Sequence, residues 1–298
     1  MGAPRSGTTL LAGMLSSNKN VIALPEMKYI HEILDLDLYE KEKVVHILKN
    51  HFMFIDLKII ENENNLYNIV SSNLKKTTFN IINLFNKKHR NKKTITWVEH
   101  TPNNFLYFNK LKEEFPNAKF IHLVRDGRAV YSSTKIVDWG YKDVITGAKN
   151  WNFIINKCLT LEKQYEDLIL NIRYEDLTSQ PKETILKICK FAQIKYSDEM
   201  LISNGLITPS YAKKSYISKI GTKTTESSQY EWIKKLKKYE IEYFTFYNYD
   251  YLNFYNYDTK NFKAKDLSKK RKQIISTVGE YRQKKSIKNA QKRFNSVF

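Results

Sequence analysis

The chain has 298 residues, 42% of them apolar, and no apolar run long enough to cross a bilayer, so it reads as a globular protein with room for a substantial core. Its formal charge is +19, of which residues 260–298 hold +11 (thirteen Lys or Arg against Asp266 and Glu280), while the remaining 259 residues carry +8, a balance that suits an anionic ligand. Cys158 and Cys189 are too few for a disulfide framework or a zinc site, no secretory leader precedes Gly2, and a cytoplasmic location is the expectation.

The first stretch, Gly2-Ala3-Pro4-Arg5-Ser6-Gly7-Thr8-Thr9, has the outline of a phosphate-binding loop. Its two glycines are five apart and hydroxyl residues close it. Leu10, Leu11, Met14 and Leu15 then repeat at helical spacing, so a helix over 8–17 is expected. A turn feeding a helix N-terminus aims free N–H groups at an anion. The lysine of a Walker loop is replaced by Thr8, and the cation is Arg5, inside the loop. Such a loop suits a phosphate-like anion without Mg-triphosphate equipment.

Val21 to Leu24 reads as a short strand ending at Pro25-Glu26. Residues 27–90 look mainly helical, and two histidines within them, His46 and His51, have no metal-ligand spacing. Thr94 to Val98 alternates as a strand and runs into Glu99-His100-Thr101-Pro102, with a helix over Phe105 to Phe115. Ala118 to Val124 is the clearest strand, an almost continuous apolar run of the kind found in parallel sheets. It stops at Arg125-Asp126-Gly127-Arg128, and a helix is expected through Ser133. A second helix begins near Asp143 and contains Trp151. Leu168 to Arg173 is a strand ending at Tyr174-Glu175-Asp176, and residues 182–193 form an amphipathic helix. Residues 203–228 read as a loop, a helical stretch surrounds Trp232, and the Tyr/Asn-rich run 247–257 reads as low complexity. The basic tail is expected to be helical.

Strands alternating with helices predict a parallel α/β sheet, with ligands gathered at the carboxyl ends of the strands. Arg5 and Ser6, Glu26, His100, Arg125 and Tyr174 all follow strand-like segments. The eight-residue interval from Arg125 to Ser133 allows both to reach one phosphate, though Arg125 and Asp126 read equally well as a structural pair with Asp126 capping the helix. With the first loop, this suggests two anion sites on one ligand.

Gly2 to Leu11 resembles the 5′-phosphosulfate loop of sulfotransferases that use 3′-phosphoadenosine 5′-phosphosulfate. Val124 to Ser133 resembles that family's 3′-phosphate segment, and Ile172 to Leu177, followed by Pro181, its third landmark. The three matches stand in the family's order over residues 2–235, closest to the bacterial and tyrosylprotein-type branch. The resemblance implies a P-loop-containing nucleotide-binding fold, a central parallel sheet flanked by helices. It implies that Pro4, Arg5, Ser6, Gly7, Thr8 and Thr9 hold the 5′-phosphosulfate, that Arg125 and Ser133 hold the 3′-phosphate, and that Tyr174 lines the nucleotide site. Residues Ser218 and Lys219 to Lys223 are similar in kind to the family's late loop over the donor. Glu26, twenty-one residues after Arg5, matches the acidic base of the tyrosylprotein-type enzymes. Bacterial relatives usually carry lysine where this chain has His100, and a neutral histidine is itself a competent base. The base is Glu26, His100 or the two together.

The expected function is in-line transfer of a sulfuryl group to a hydroxyl or amine acceptor, with no metal. The acceptor can be a carbohydrate, lipid, small molecule or peptide. The alternatives are a P-loop kinase or NTPase, against which the missing lysine argues, and a catalytically degenerate anion-binding protein. Residues 1–258 are expected to form the sulfotransferase domain and 259–298 a helical tail that meets a polyanion or an anionic membrane surface. The family places a strand ahead of the loop, where this chain has only Met1, so a start upstream or a truncation is expected.

Overall fold

A computed structural model describes residues 1–51, 54, 63–89, 96–202, 206 and 229–295. In chain order its elements are α1 (Thr8–Ser16), β1 (Val21–Ala23), α2 (Tyr29–Leu34), α3 (Lys41–Asn50), α4 (Glu63–Ile69), α5 (Leu74–His89), β2 (Thr96–Val98), α6 (Phe108–Glu114), β3 (Phe120–Val124), α7 (Gly127–Thr134), α8 (Val144–Gln164), β4 (Ile169–Arg173), α9 (Tyr174–Ser179), α10 (Pro181–Ala192), α11 (Glu231–Lys235), α12 (Lys238–Tyr247), α13 (Tyr249–Phe254) and α14 (Lys269–Asn295). This is the expected α/β alternation. Among the described residues the strands form two pairs, β1 with β2 and β3 with β4. The chain divides into two compact units, each assembled from segments distant in sequence.

The first unit contains Met1, residues 8–121 and residues 180–224. Strands β1 and β2 run parallel, with Val21 opposite Thr96, Ile22 opposite Trp97 and Ala23 opposite Val98. Leu24 N–H extends the ladder to Val98 O at 3.2 Å. Because the strands are parallel and in this register, the segments leaving them, Pro25-Glu26 and Glu99-His100, emerge at the same edge. One apolar core holds the unit together, built from Ile22 and Leu24 of the β1 segment, Val44 and Leu48 of α3, and Ile81 and Phe85 of α5. Burial of these side chains is the main stabilising term, at about 1.5–3 kcal/mol each. The expected Phe105 helix is a 3-10 turn over Pro102–Tyr107 followed by α6. Helix α10 starts on Pro181, whose missing N–H costs nothing at a first-turn position. It ends at Gln193, in the left-handed region at φ 56.

The second unit contains residues 2–7, 122–179 and 225–298. Helices α7 and α8 begin on aspartates. Asp126 accepts from Arg128 N–H at 2.9 Å at the start of α7, and Asp143 accepts from Thr146 N–H at 2.8 Å at the start of α8. Trp151 of α8 and Phe244 of α12 pack at 5.9 Å between ring centroids in the core between these helices. Gly127 is needed there, since a Cβ would lie 2.5 Å from the Phe244 ring and 2.6 Å from Trp151. Two expectations are corrected. The strand expected over Ala118 to Val124 begins at Phe120, because the Ala118 N–H is drawn back to Phe115 O at 2.9 Å. The Tyr/Asn-rich run is structured: it ends α12, forms α13 and buries Leu252, Tyr255 and Tyr257. The basic tail is helical, as α14.

Candidate active site

The loop of residues 2–7 is a left-handed turn. Gly2, Arg5 and Gly7 have φ of 142, 74 and 100, and Ser6 N–H closes the turn on Ala3 O at 3.1 Å. Glycine is required at both ends for space as well as conformation. A Cβ on Gly2 would lie 2.5 Å from Leu123 O, and one on Gly7 would lie 2.5 Å from the Tyr174 ring. Arg5 adopts the same region at a cost of about 1–2 kcal/mol. Such strain persists where the surroundings hold it, and here they do. Arg125 donates from Nη1 to Arg5 O at 3.1 Å, and Arg5 donates from Nε to Ser133 Oγ at 3.0 Å.

Three of the residues expected to hold the donor, Arg5, Arg125 and Ser133, are thus joined directly. The Arg125 guanidinium also lies 4.2 Å from the Tyr174 ring centroid. Two donors in this cluster have no hydrogen-bond partner among the described residues although both are buried: Ser6 Oγ and Arg125 Nε. An unmatched buried polar atom is costly, and both atoms are of a kind that can donate to an anion.

The alternative reading of Arg125 and Asp126 as a structural pair resolves in favour of a different arginine. Asp126 takes Arg128 in a fork, Nε to Oδ1 at 3.0 Å and Nη2 to Oδ2 at 2.8 Å. The Arg128 guanidinium lies against the rings of Trp232 and Phe262, at 4.6 and 4.8 Å from their centroids, and the residue is 1% exposed. Arg128 is therefore architectural. Arg125 faces the loop instead, with its carbonyl accepting from Trp151 Nε1 at 3.3 Å. Behind it, Glu175 accepts from Asp126 N–H at 3.1 Å and from Tyr257 Oη at 2.9 Å. Burial, then the nearby Asp126, pushes the Glu175 carboxyl above its ordinary value.

In the first unit, Glu99 organises the strand edge. Its Oε1 accepts from Met27 N–H at 3.1 Å, from Thr101 N–H at 2.8 Å and from Thr101 Oγ1; Oε2 accepts from Asn104 Nδ2. Asn104 Oδ1 in turn meets His31 Nε2 at 2.8 Å, and His31 stacks on Tyr107 at 4.0 Å. One carboxylate therefore fixes the residue after Glu26 and the residue after His100. Glu26 is partly exposed and pairs with Lys28 at 3.2 Å, so it keeps access to solvent. His100 is 7% exposed, and neither ring nitrogen has a hydrogen-bond partner among the described residues. Burial lowers its pKa despite the opposing negative charges of Glu99 and Glu26, so the imidazole is neutral near pH 7.

The second unit thus collects Pro4, Arg5, Ser6, Gly7, Arg125, Ser133 and Tyr174, and the first collects Glu26 and His100. Thr8 and Thr9 open α1. Ser218 and Lys223, with the rest of the expected late loop from Lys219, lie outside the described residues. Glu99, Asn104 and Tyr257 belong to no motif in the sequence. Their only signal was proximity to His100 and a place in a polar aromatic run.

A family model described as the sulfotransferase family matches residues 1–198. Protein-tyrosine sulfotransferase A of Caenorhabditis elegans is 27% identical over 215 residues, covering 69% of this chain and 52% of that protein. The protein-tyrosine sulfotransferase of Drosophila melanogaster is 29% identical over 209 residues, covering 67% of this chain and 38% of that protein. The chain therefore spans about half or less of the length of these curated relatives. Among solved structures, the sulfotransferase domain of a Synechococcus olefin synthase superposes with a TM-score of 0.57 at 19% identity, covering 86% of this chain and 93% of that one. A sulfotransferase domain from the curacin biosynthetic pathway does so with the same score at 18% identity, over 86% and 96%. These two likenesses establish the fold.

Proposed function

Because the chain belongs to the sulfotransferase family, whose model covers residues 1–198, we propose that it transfers a sulfuryl group from 3′-phosphoadenosine 5′-phosphosulfate to a hydroxyl, and that the acceptor is a protein tyrosine. The family implies the donor. The carrying observation is the cluster of Arg5, Ser6, Arg125, Ser133 and Tyr174, with its two unsatisfied buried donors, Ser6 Oγ and Arg125 Nε. Two guanidiniums and a hydroxyl suit a ligand with separated phosphates, and the Tyr174 face suits a nucleotide.

When bound, the donor supplies a sulfuryl group on an adenosine bisphosphate leaving group. The acceptor oxygen forms its bond to sulfur as the bond from sulfur to the phosphate oxygen breaks, and the acceptor's proton goes to the protein. Glu26, a partly exposed carboxylate, takes that proton. His100, held neutral, contributes a hydrogen bond from a ring N–H. Arg5, with the loop around it, stabilises the charge gathering on the departing 5′-phosphate, and Arg125 holds the 3′-phosphate. The tyrosine acceptor rests on the names of the relatives, protein-tyrosine sulfotransferases of C. elegans and D. melanogaster.

Calorimetric titration with adenosine 3′,5′-bisphosphate, 5′-AMP and ATP tests the donor site. The bisphosphate binds tightest, and Arg125→Ala weakens it about tenfold to a hundredfold with the fold intact. Equal binding of all three nucleotides, or none, defeats the reading. Transfer of labelled sulfate to a tyrosyl peptide, compared with a phenylalanyl control, tests the acceptor.

A further inference from the structure

Helix α14 is a part of the second unit that sulfuryl transfer does not use. It is 27 residues long, about 40 Å at a helical rise of about 1.5 Å per residue. Ten Lys or Arg face a single acid, Glu280, along its sequence. One side of the helix is fixed to the unit. Gln283 Nε2 donates to Asp138 O at 3.2 Å, Ser286 Oγ donates to Asp138 Oδ1 at 3.0 Å, and Gly279 passes so close to Asp143 that a Cβ would lie 2.5 Å from its carboxylate.

The opposite side is unlike an ordinary solvated face. Ile274, Val278, Tyr281 and Lys285 recur at helical spacing, and the first three are 54%, 41% and 68% exposed. Lys270 and Lys288 continue the strip at its two ends, both exposed. Apolar side chains held out by a rigidly docked helix, with lysines at each end, need a partner that rewards both chemistries.

We propose that this outward strip of α14 docks the protein on an anionic lipid surface, lying in the interface with Ile274, Val278 and Tyr281 at the headgroup boundary. Lysines draw the helix to anionic headgroups. Short aliphatic side chains and a tyrosine gain from the boundary between headgroups and acyl chains. A nucleic acid rewards the lysines only, and the strip offers a single aromatic ring, too few for base stacking. No helix among the described residues is long and apolar enough to cross a membrane, so α14 lies on the surface rather than through it.

The test is co-sedimentation of the whole chain with vesicles of phosphatidylcholine alone or mixed with phosphatidylserine, at physiological salt, with duplex DNA binding measured alongside. Two variants are needed, K270Q/K285Q/K288Q and I274S/V278S/Y281S, each checked by circular dichroism for native helix content. The wild type sediments with the mixed vesicles and not with phosphatidylcholine alone. The lysine variant loses about a hundredfold in partitioning. The apolar variant loses about tenfold in vesicle binding and keeps its DNA affinity. Failure to sediment with mixed vesicles overturns the proposal. So does an apolar variant that binds vesicles as well as wild type, which would make the strip a general polyanion site.

Discussion

Arg5 Nε and Ser133 Oγ are 128 positions apart in the chain and 3.0 Å apart in space. The first belongs to the loop that resembles a 5′-phosphosulfate site and the second to the segment that resembles a 3′-phosphate site. The bond orients a guanidinium that would otherwise sample several rotamers, and it holds the left-handed backbone at Arg5 in place together with Arg125.

Ser133→Ala removes that acceptor without emptying a core position. The expected result is a loss of about three- to tenfold in affinity for adenosine 3′,5′-bisphosphate, read by calorimetry. The urea midpoint should be nearly unchanged, because Ser133 is not fully buried. Unaltered affinity would show that neither residue touches the nucleotide.

Gly7→Ala acts through the backbone. At φ 100 an alanine is strained, and its methyl would meet the Tyr174 ring at 2.5 Å, so the loop or the ring must shift. A stability loss of about 1–3 kcal/mol is expected in urea unfolding, with a larger proportional loss in nucleotide affinity. Gly7→Ala combined with Tyr174→Ala should cost less than the sum of the two single changes, since the collision is removed while the strain at φ 100 remains, and affinity should not recover.

Glu99→Gln tests the organiser of the strand edge. All four groups that reach Glu99 are donors, so an amide must point its own N–H at one of them. Asn104 has little freedom to turn, because its Oδ1 is engaged with His31. The expected outcome is a fall in kcat of about ten- to a hundredfold with the affinity for adenosine 3′,5′-bisphosphate unchanged. A fall in both would mean that Glu99 supports the fold rather than the geometry around Glu26 and His100.

The loop and the strand positions were legible in the sequence because they are local: glycine spacing, apolar runs and the residues directly after them. The parallel register of β1 and β2 turned two separate readings, Glu26 and His100, into one edge. What was not legible depends on partners far along the chain. Asp126 reads as a partner for Arg125 until Trp232 and Phe262 show where the Arg128 guanidinium is buried. The Tyr/Asn-rich run looks featureless because tyrosine serves both surface and core, and only the fold shows Tyr257 bonded to Glu175. Glu99 carries no motif of its own, since its role is defined by four donors that come from two stretches of chain, Met27 and the turn of Thr101 and Asn104.

Buried histidines give the protein a stability maximum in pH. Burial opposes charge on His122, yet Cys158 and Glu162 beside it prevail and hold its pKa up to about 9. Asn171 Nδ2 helps fix Glu162, at 3.0 Å. A folded value above the ordinary 6.5 means that the folded state binds the extra proton, so this stabilisation is complete below pH 6.5 and disappears as pH rises through about 9. His100 and His51 have the opposite sign. Burial lowers both, His51 to about 4, so unfolding takes up protons below pH 6.5 and stability falls with acid. Thermal unfolding across pH should therefore peak near pH 6.5. His122→Asn should flatten the alkaline limb and leave the acid limb in place, whereas His51→Asn should soften the acid limb only. An alkaline limb that persists unchanged in His122→Asn would mean that His122 is neutral in the folded protein and that its contact with Glu162 carries no charge.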